Sequence, residues 1–420
     1  MTRETLAVVG LGYVGLPLAR RACEVGIGTV GYDISPEVVA GLNAGRSHVG
    51  DVPPEAVAAM RERGFSATLD GSALGRCDTI VICVPTGLDR EGRPDLSALR
   101  AAGHTVGARL RPGTLVVLES TSHPGTTDTL LREILEKESG LRAGEDFHLG
   151  YSPERIDPGN AVYRLHNTPK IVSGFTPLCL KHTTAFYQRL VDRLVLSAGT
   201  REAEMAKLLE NTYRYVNIAL VNEVARYCEK AGIDVWDVLH CAGTKPFGYA
   251  AFQPGPGVGG HCVPIDPHYL DARAAEDGFT FQLLAAARRV ISAMPERVVE
   301  RAADVLRRAG RSLAGSRVLL LGVSYKPDVA DVRESPAFPV ARILRGAGAE
   351  VAYHDPLVAE FASDGVPVPR ERELTEGLAR ADLAILLQDH SAYPAHQLVH
   401  APCALLDTRG KTAGARVTLL

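Results

Sequence analysis

Long apolar runs are absent from these 420 residues. No stretch reaches the roughly 20 apolar residues that a membrane-spanning helix needs, and the N-terminus enters a strand without the layout of a signal peptide. Charge of one sign is also missing: 46 Lys and Arg against 49 Asp and Glu leave a net charge of −3, which argues against nucleic acid or an anionic membrane as the main partner. The eight cysteines show no CxxC pair and no regular spacing, which excludes a disulfide framework and a zinc site and predicts reduced thiols and no metal. Short-period repeats and low-complexity segments do not occur. A cytoplasmic enzyme of two or three domains fits what remains.

Glycine and proline are concentrated in one place. Phe252 to Pro267 reads FQPGPGVGGHCVPIDP, with four glycines and four prolines in sixteen positions. Such backbone is neither regular helix nor central strand, so it predicts a shaped loop that brings main chain close to a ligand, with the Cys262 thiol and the Asp266 carboxylate four residues apart. A nucleophile loop is the sharper reading, against a surface loop with an incidental cysteine.

A second glycine pattern opens the chain. The apolar run from Leu6 enters GLGYVG, with Gly10, Gly12 and Gly15 in GxGxxG spacing, and a second strand ends in Asp33 about 20 residues on. The glycines let backbone N–H groups approach a pyrophosphate at a helix N-terminus, and the Asp33 carboxylate can accept both ribose hydroxyls. It would repel a 2′-phosphate, and Ile34-Ser35-Pro36 supplies no cation, so the pattern predicts NAD rather than NADP.

Strands alternate with helices from residue 6 to about 195, which predicts a parallel, doubly wound sheet. The rhythm then gives way to one long helix over Glu202 to Ala231, stopped by Gly232, and a second helical stretch from about Phe281 to Arg308. It resumes at Arg317 and continues through the strands near 350, 383 and 404. The expected fold is α/β: two Rossmann-like doubly wound domains, residues 1–198 and 311–420, joined by a helical central domain over 199–310 that carries the nucleophile loop.

These motifs together resemble the UDP-glucose/GDP-mannose dehydrogenase family, NAD-dependent enzymes that oxidise the C6 alcohol of a nucleotide sugar to a carboxylate. The resemblance covers essentially the whole chain: GLGYVG, Val84-Pro85-Thr86, Glu119-Ser120-Thr121, Ser152-Pro153-Glu154-Arg155, Lys207 to Asn211, GGHC with Asp266, Tyr325-Lys326-Pro327-Asp328, and Asp331 to Pro336. It implies that Cys262 traps the aldehyde as a thiohemiacetal whose oxidation gives a thioester, so that two hydrides leave without loss of the intermediate. It implies that Lys207 and Asn211, one helical turn apart, stabilise the oxyanion at C6. By the same resemblance Asp266 handles the proton of the alcohol, while Glu154 activates the hydrolytic water with help from Thr121. Read without it, Thr121 could cap a helix, Asp266 could seed a turn, Glu154 could pair with Arg155, and Lys207 could face solvent.

The resemblance further assigns cofactor contacts to Tyr13, Val14, Pro85, Thr86 and Arg333, beside the three glycines and Asp33. It assigns substrate contacts to Arg155, Lys245, Phe252 and Gly259 and, in the C-terminal UDP-binding domain, to Tyr325, Lys326 and Arg409. It implies a homodimer built on the long helix and a uronic acid product for polysaccharide or antibiotic biosynthesis. Pro158, where the glucose branch places a second acid, and Lys245-Pro-Phe-Gly248 resemble the N-acetylhexosamine branch, and most closely UDP-N-acetylglucosamine 6-dehydrogenases. UDP-glucose and the N-acetylmannosamine and N-acetylgalactosamine epimers are the alternatives. Gly87, where many relatives place proline, carries no functional reading. A one-hydride hydroxyacid dehydrogenase needs neither the Cys262 loop nor a third domain, and a non-catalytic sugar sensor would be expected to lack Cys262 or Lys207.

Overall fold

The computed structural model describes residues 4–157, 159–160 and 162–420. The chain divides into two compact units, Met1–Glu210 with His268–Gly278, and Asn211–Pro267 with Phe279–Leu420. Compactness thus cuts the long helix in two between Glu210 and Asn211.

The first unit is built on an eight-stranded sheet. Its strands are β1 (Thr5–Val9), β2 (Gly28–Tyr32), β3 (Ser66–Thr68), β4 (Thr79–Ile82), β5 (Leu115–Leu118), β6 (His148–Tyr151), β7 (Lys170–Gly174) and β8 (Leu194–Leu196), in the order β8-β7-β6-β5-β4-β1-β2-β3. The run β3-β2-β1-β4-β5-β6 is parallel and has the dinucleotide-binding order. Covered on both faces, these strands read as continuous apolar runs. Leu6 and Val8 enter one core with Leu16 and Ala19, and Ala7 and Val9 enter another with Ile80 and Ile82.

β7 departs from the expected all-parallel sheet. It runs antiparallel to β6, pairing Gly174 with Gly150 and Ser173 with Tyr151. The cause is the connection: a parallel return needs a crossover, usually helical, and the described residues between Tyr151 and Lys170 form no helix.

Helix α1 spans Gly15–Glu24 and the long helix α2 spans Thr200–Ala231, ended by Gly232 at φ +69°. Asp266 opens α3 (Asp266–Glu276). The stretch expected as one helix from Phe281 is two, α4 (Gln282–Ser292) and α5 (Met294–Arg308). Pro295 explains the break, since it lacks an N–H and its ring clashes with the preceding turn, while it is tolerated at the start of α5.

The second unit carries a five-stranded parallel sheet of β9 (Arg317–Leu321), β10 (Glu350–His354), β11 (Leu383–Leu386), β12 (Ala404–Asp407) and β13 (Val417–Leu419), ordered β10-β9-β11-β12-β13. α5 covers one face through Val298, Ala302 and Leu306, spaced four apart on one stripe. In such sheets ligands bind outside the C-terminal strand ends where the order reverses, here beyond Leu321 and Leu386.

Candidate active site

In the first unit the glycine turn sits at the C-terminal end of β1. The Gly10 N–H donates to the Tyr32 carbonyl at 2.8 Å, its φ is +90°, and a Cβ there would lie 2.7 Å from the Cys83 carbonyl oxygen. A Cβ on Gly15 would lie 1.9 Å from the Gly10 oxygen, so close strand-to-helix packing requires this glycine. Gly12 is different: a Cβ would meet nothing within 4 Å, so packing does not require glycine there and the bare backbone is left open to a ligand. Asp33, just past β2, accepts from Leu11 N–H at 2.8 Å and Ser35 N–H at 2.9 Å, tying the turn to the second strand while about two of its four lone-pair sites remain for ribose hydroxyls. These residues fit a dinucleotide. Tyr13 and Val14 lie within the turn, with Tyr13 exposed. Pro85 and Thr86 follow β4, with Thr86 buried.

The carboxylates lie at the same edge of this sheet. Glu119 and Thr121 follow β5, and Glu154 lies three residues beyond β6. Glu154 Oε1 accepts from the Arg155 N–H at 2.6 Å. The Arg155 guanidinium goes elsewhere, to Glu210 at 2.6 Å and the Pro169 carbonyl at 2.6 Å, so the simple Glu154–Arg155 ion pair is not formed. Thr121 caps no helix; it sits in the loop after β5. Lys207 on α2 is 9% exposed, whereas Leu209 is 57% and Tyr213 51% exposed. That inversion of the usual helix pattern removes the solvent-facing reading of the lysine.

Glu204, one turn before Lys207, is a residue that sequence reasoning missed. Fully buried, it accepts from Gly125 N–H (2.6 Å), Thr127 N–H (2.9 Å), Thr127 Oγ1 (2.6 Å) and Ser122 Oγ (3.2 Å), which pins the Thr121 loop to α2. Burial pushes its carboxyl up to about 7, opposed by the Thr127 and Gly125 donors. Glu204→Ala would strand these donors, and urea unfolding should show about 2–4 kcal/mol lost stability. A loss below about 0.5 kcal/mol would mean that the loop holds without it.

In the second unit the GGHC segment lies against the Tyr325 loop. A Cβ on Gly259 would lie 2.7 Å from the Tyr325 Cβ, and one on Gly260 would lie 2.8 Å from the Tyr325 ring. Gly260 has φ +88° and donates to the Arg333 carbonyl at 2.9 Å. Cys262 is exposed, and its carbonyl accepts from Asp266 N–H at 2.8 Å. The Asp266 carboxylate, in a residue 2% exposed, accepts from the Asn211 side-chain amide. Gly255 donates to Asn222 Oδ1 at 3.1 Å, and a Cβ on it would lie 2.8 Å from Arg409 Nη1. The Arg333 guanidinium pairs with Asp331 at 2.6 Å. Ser324 Oγ donates to the Lys326 carbonyl at 2.8 Å, fixing that lysine's backbone.

The structure thus brings Cys262, Asp266, Asn211, Gly259, Tyr325, Arg333 and Arg409 into one unit. Phe252 meets Tyr213 edge-on, with ring centroids 5.8 Å apart. Lys245 is exposed, its ammonium 5.0 Å over the ring of nearby Phe247, in an outward-facing segment. Pro158 lies outside the described residues.

Residues 4–191, 201–291 and 319–413 match, in turn, the NAD binding, central and UDP binding domains of the UDP-glucose/GDP-mannose dehydrogenase family. The chain belongs to this family. It is an NAD-dependent nucleotide-sugar dehydrogenase, and NAD is its cofactor. The chain is 38% identical to a UDP-N-acetyl-D-glucosamine 6-dehydrogenase of Pseudomonas aeruginosa over 360 residues, 84% of this chain and 83% of that one. It is 36% identical to a UDP-N-acetyl-D-mannosamine dehydrogenase of Pyrococcus horikoshii over 392 residues, 92% and 90% of the two chains. A solved structure described as UDP-D-ManNAc dehydrogenase from the same organism superposes with a TM-score of 0.90 at 31% identity, covering 99% of this chain and 98% of that one. Among the described residues no helix is long and apolar enough to cross a membrane, and no group of three or more His, Cys, Asp or Glu is placed to hold a metal.

Proposed function

We propose that this dehydrogenase oxidises the C6 alcohol of UDP-N-acetylglucosamine to the carboxylate through a covalent thioester on Cys262. The observation that carries the covalent route is Cys262 itself, exposed on a loop whose glycines are packed against Tyr325 and whose next helix opens with Asp266 bonded to Asn211. Bound NAD accepts hydride, one molecule for each of the two oxidations. The chain's own residues do the rest. Asp266 takes the proton of the alcohol, Lys207 and Asn211 stabilise the C6 oxyanion, and the Cys262 thiolate adds to the aldehyde. Glu154, with Thr121, activates the water that cleaves the thioester. The balance is alcohol plus water plus two NAD⁺ to acid plus two NADH plus two H⁺. Product mass and NADH yield test this route, since a limiting ratio of one NADH per sugar would overturn it.

The acetamido sugar is supported by the relatives, which are named for UDP-N-acetylglucosamine and UDP-N-acetylmannosamine. The glucosamine epimer is placed first on the higher identity. An acetamido pocket leaves a void and unpaired polar atoms around a smaller hydroxyl, at a cost of about 1–3 kcal/mol, or roughly tenfold to two-hundredfold in kcat/KM. UDP-N-acetylglucosamine should therefore lead a panel of UDP-N-acetylmannosamine, UDP-N-acetylgalactosamine and UDP-glucose. Equal or better use of UDP-glucose would remove the acetamido reading and keep the dehydrogenase. The exposed Leu209, Tyr213, Leu220 and Tyr227 of α2 support a homodimer, and the enzyme's place is the cytoplasm, where reduced thiols persist.

A further inference from the structure

The antiparallel strand β7 delivers one residue to the edge where the carboxylates lie. Continuing its register with β6 beyond the Tyr151–Ser173 pair sets Lys170 opposite Glu154. Lys170 is 3% exposed, and its ammonium lies 3.2 Å from Glu119 Oε1, 3.6 Å from Glu154 Oε2 and 5.1 Å from the centroid of the Tyr187 ring. Tyr187 donates to Glu119 Oε1 at 2.5 Å, and the Cys83 thiol also acts on the lysine's charge. Glu154 Oε1 is taken by backbone N–H groups of Arg155 and Ile156. Its other oxygen, Oε2, is buried, has no hydrogen-bond donor among the described residues and faces Lys170.

One buried cation therefore serves two carboxylates, and it cannot fully neutralise both. Burial pushes the Glu119 carboxyl up to about 7; Lys170 opposes this and the Glu154 charge adds to it. Burial works against the Lys170 charge too, but the two carboxylates more than offset it and hold its proton more tightly than usual. An ionised carboxylate is the form that can take a proton from water; the neutral acid cannot.

We propose that Lys170 is a positioning residue for the hydrolytic half-reaction, fixing Glu154 Oε2 and so the orientation of its carboxylate. This rests on the reading of Glu154 as the base. In the step itself water oxygen bonds to the thioester carbon, its proton passes to Glu154, the C–S bond breaks and Cys262 leaves as thiolate. Lys170 touches none of the reacting atoms.

The test is single-turnover kinetics with NAD in excess, with NADH release and the mass of the Cys262 adduct followed in four variants. Glu154→Gln is the control and should accumulate adduct. Lys170→Met leaves two carboxylates without a cation and could unfold, so the deciding variant is Lys170→Met with Glu119→Gln, whose buried charge is lower. It should melt near the wild type, release its first two NADH per site at near-normal rates, accumulate adduct, and turn over about a hundredfold more slowly. Lys170→Arg, which keeps the charge, should restore most of the turnover. If the double variant hydrolyses normally while Glu154→Gln stalls, Lys170 is only the counter-ion of Glu119 and the proposal is overturned. Equal loss of the NADH burst and of turnover would overturn it as well, since the lysine would then serve the whole site. Normal turnover by Glu154→Gln would instead refute the reading of Glu154 as base, and the role of Lys170 with it.

Discussion

Replacing Cys262 by alanine should reduce formation of the uronic acid by about 10⁴-fold or more, the scale on which covalent catalysis fails when its nucleophile is removed. Two thiols of the first unit, Cys83 and Cys77, cannot substitute readily for Cys262, which lies in the second. Burial pushes the Cys83 thiol well above its ordinary value and the Cys77 thiol up to about 11, so neither is a useful thiolate at neutral pH. NAD binding should survive the change, because the glycine turn and Asp33 belong to the other compact unit. The check pairs NADH formation with a cofactor titration followed by fluorescence. A Cys262→Ala enzyme that still delivers two NADH per sugar would end the covalent route.

Glu154→Gln should produce the second largest change, of a different kind. The amide is nearly isosteric and can still accept from the Arg155 N–H, so the loop beyond β6 should keep its shape. It cannot take a proton from water. Both oxidations should run once and hydrolysis should slow by about 10²- to 10⁴-fold. Enzyme mixed with substrate and excess NAD should then gain the mass of a uronyl group on the peptide that carries Cys262. Steady turnover at the wild-type rate would assign the base elsewhere.

What the sequence revealed followed from how local the signal was. β1, the glycine turn and Asp33 lie within about thirty residues, and each is dictated by short-range geometry: an apolar run buried on both faces, backbone that a Cβ would block, a carboxylate one strand away. The Cys262 loop was legible for the same reason, since its four glycines and four prolines forbid regular structure. Long-range features were less so. A lysine and a glutamate at the ends of apolar runs, Lys170 and Glu119, look like ordinary strand boundaries until the antiparallel pairing brings them within 3.2 Å. Nothing in helical periodicity marks Lys207 as buried beside exposed Leu209, because periodicity assumes that apolar faces turn inward. Glu204 was invisible because its four donors come from a loop about 80 residues earlier. Pro295 could have marked the break between α4 and α5, but the apolar spacing on both sides overrode it.

Helix α3 gives the order of synthesis a meaning. It begins with Asp266, and from His268 onward it belongs to the first unit, where the Tyr269 hydroxyl donates to the Gly87 carbonyl at 2.9 Å and the Asp95 carbonyl at 3.2 Å. A gene fragment ending at Glu210 would therefore encode a cofactor-binding half with its closing helix missing and those two carbonyls robbed of their donor. On the ribosome the same half cannot be completed until the nucleophile loop has already been made. The nascent chain thus finishes its first compact unit only after the residue on which its chemistry depends has been translated.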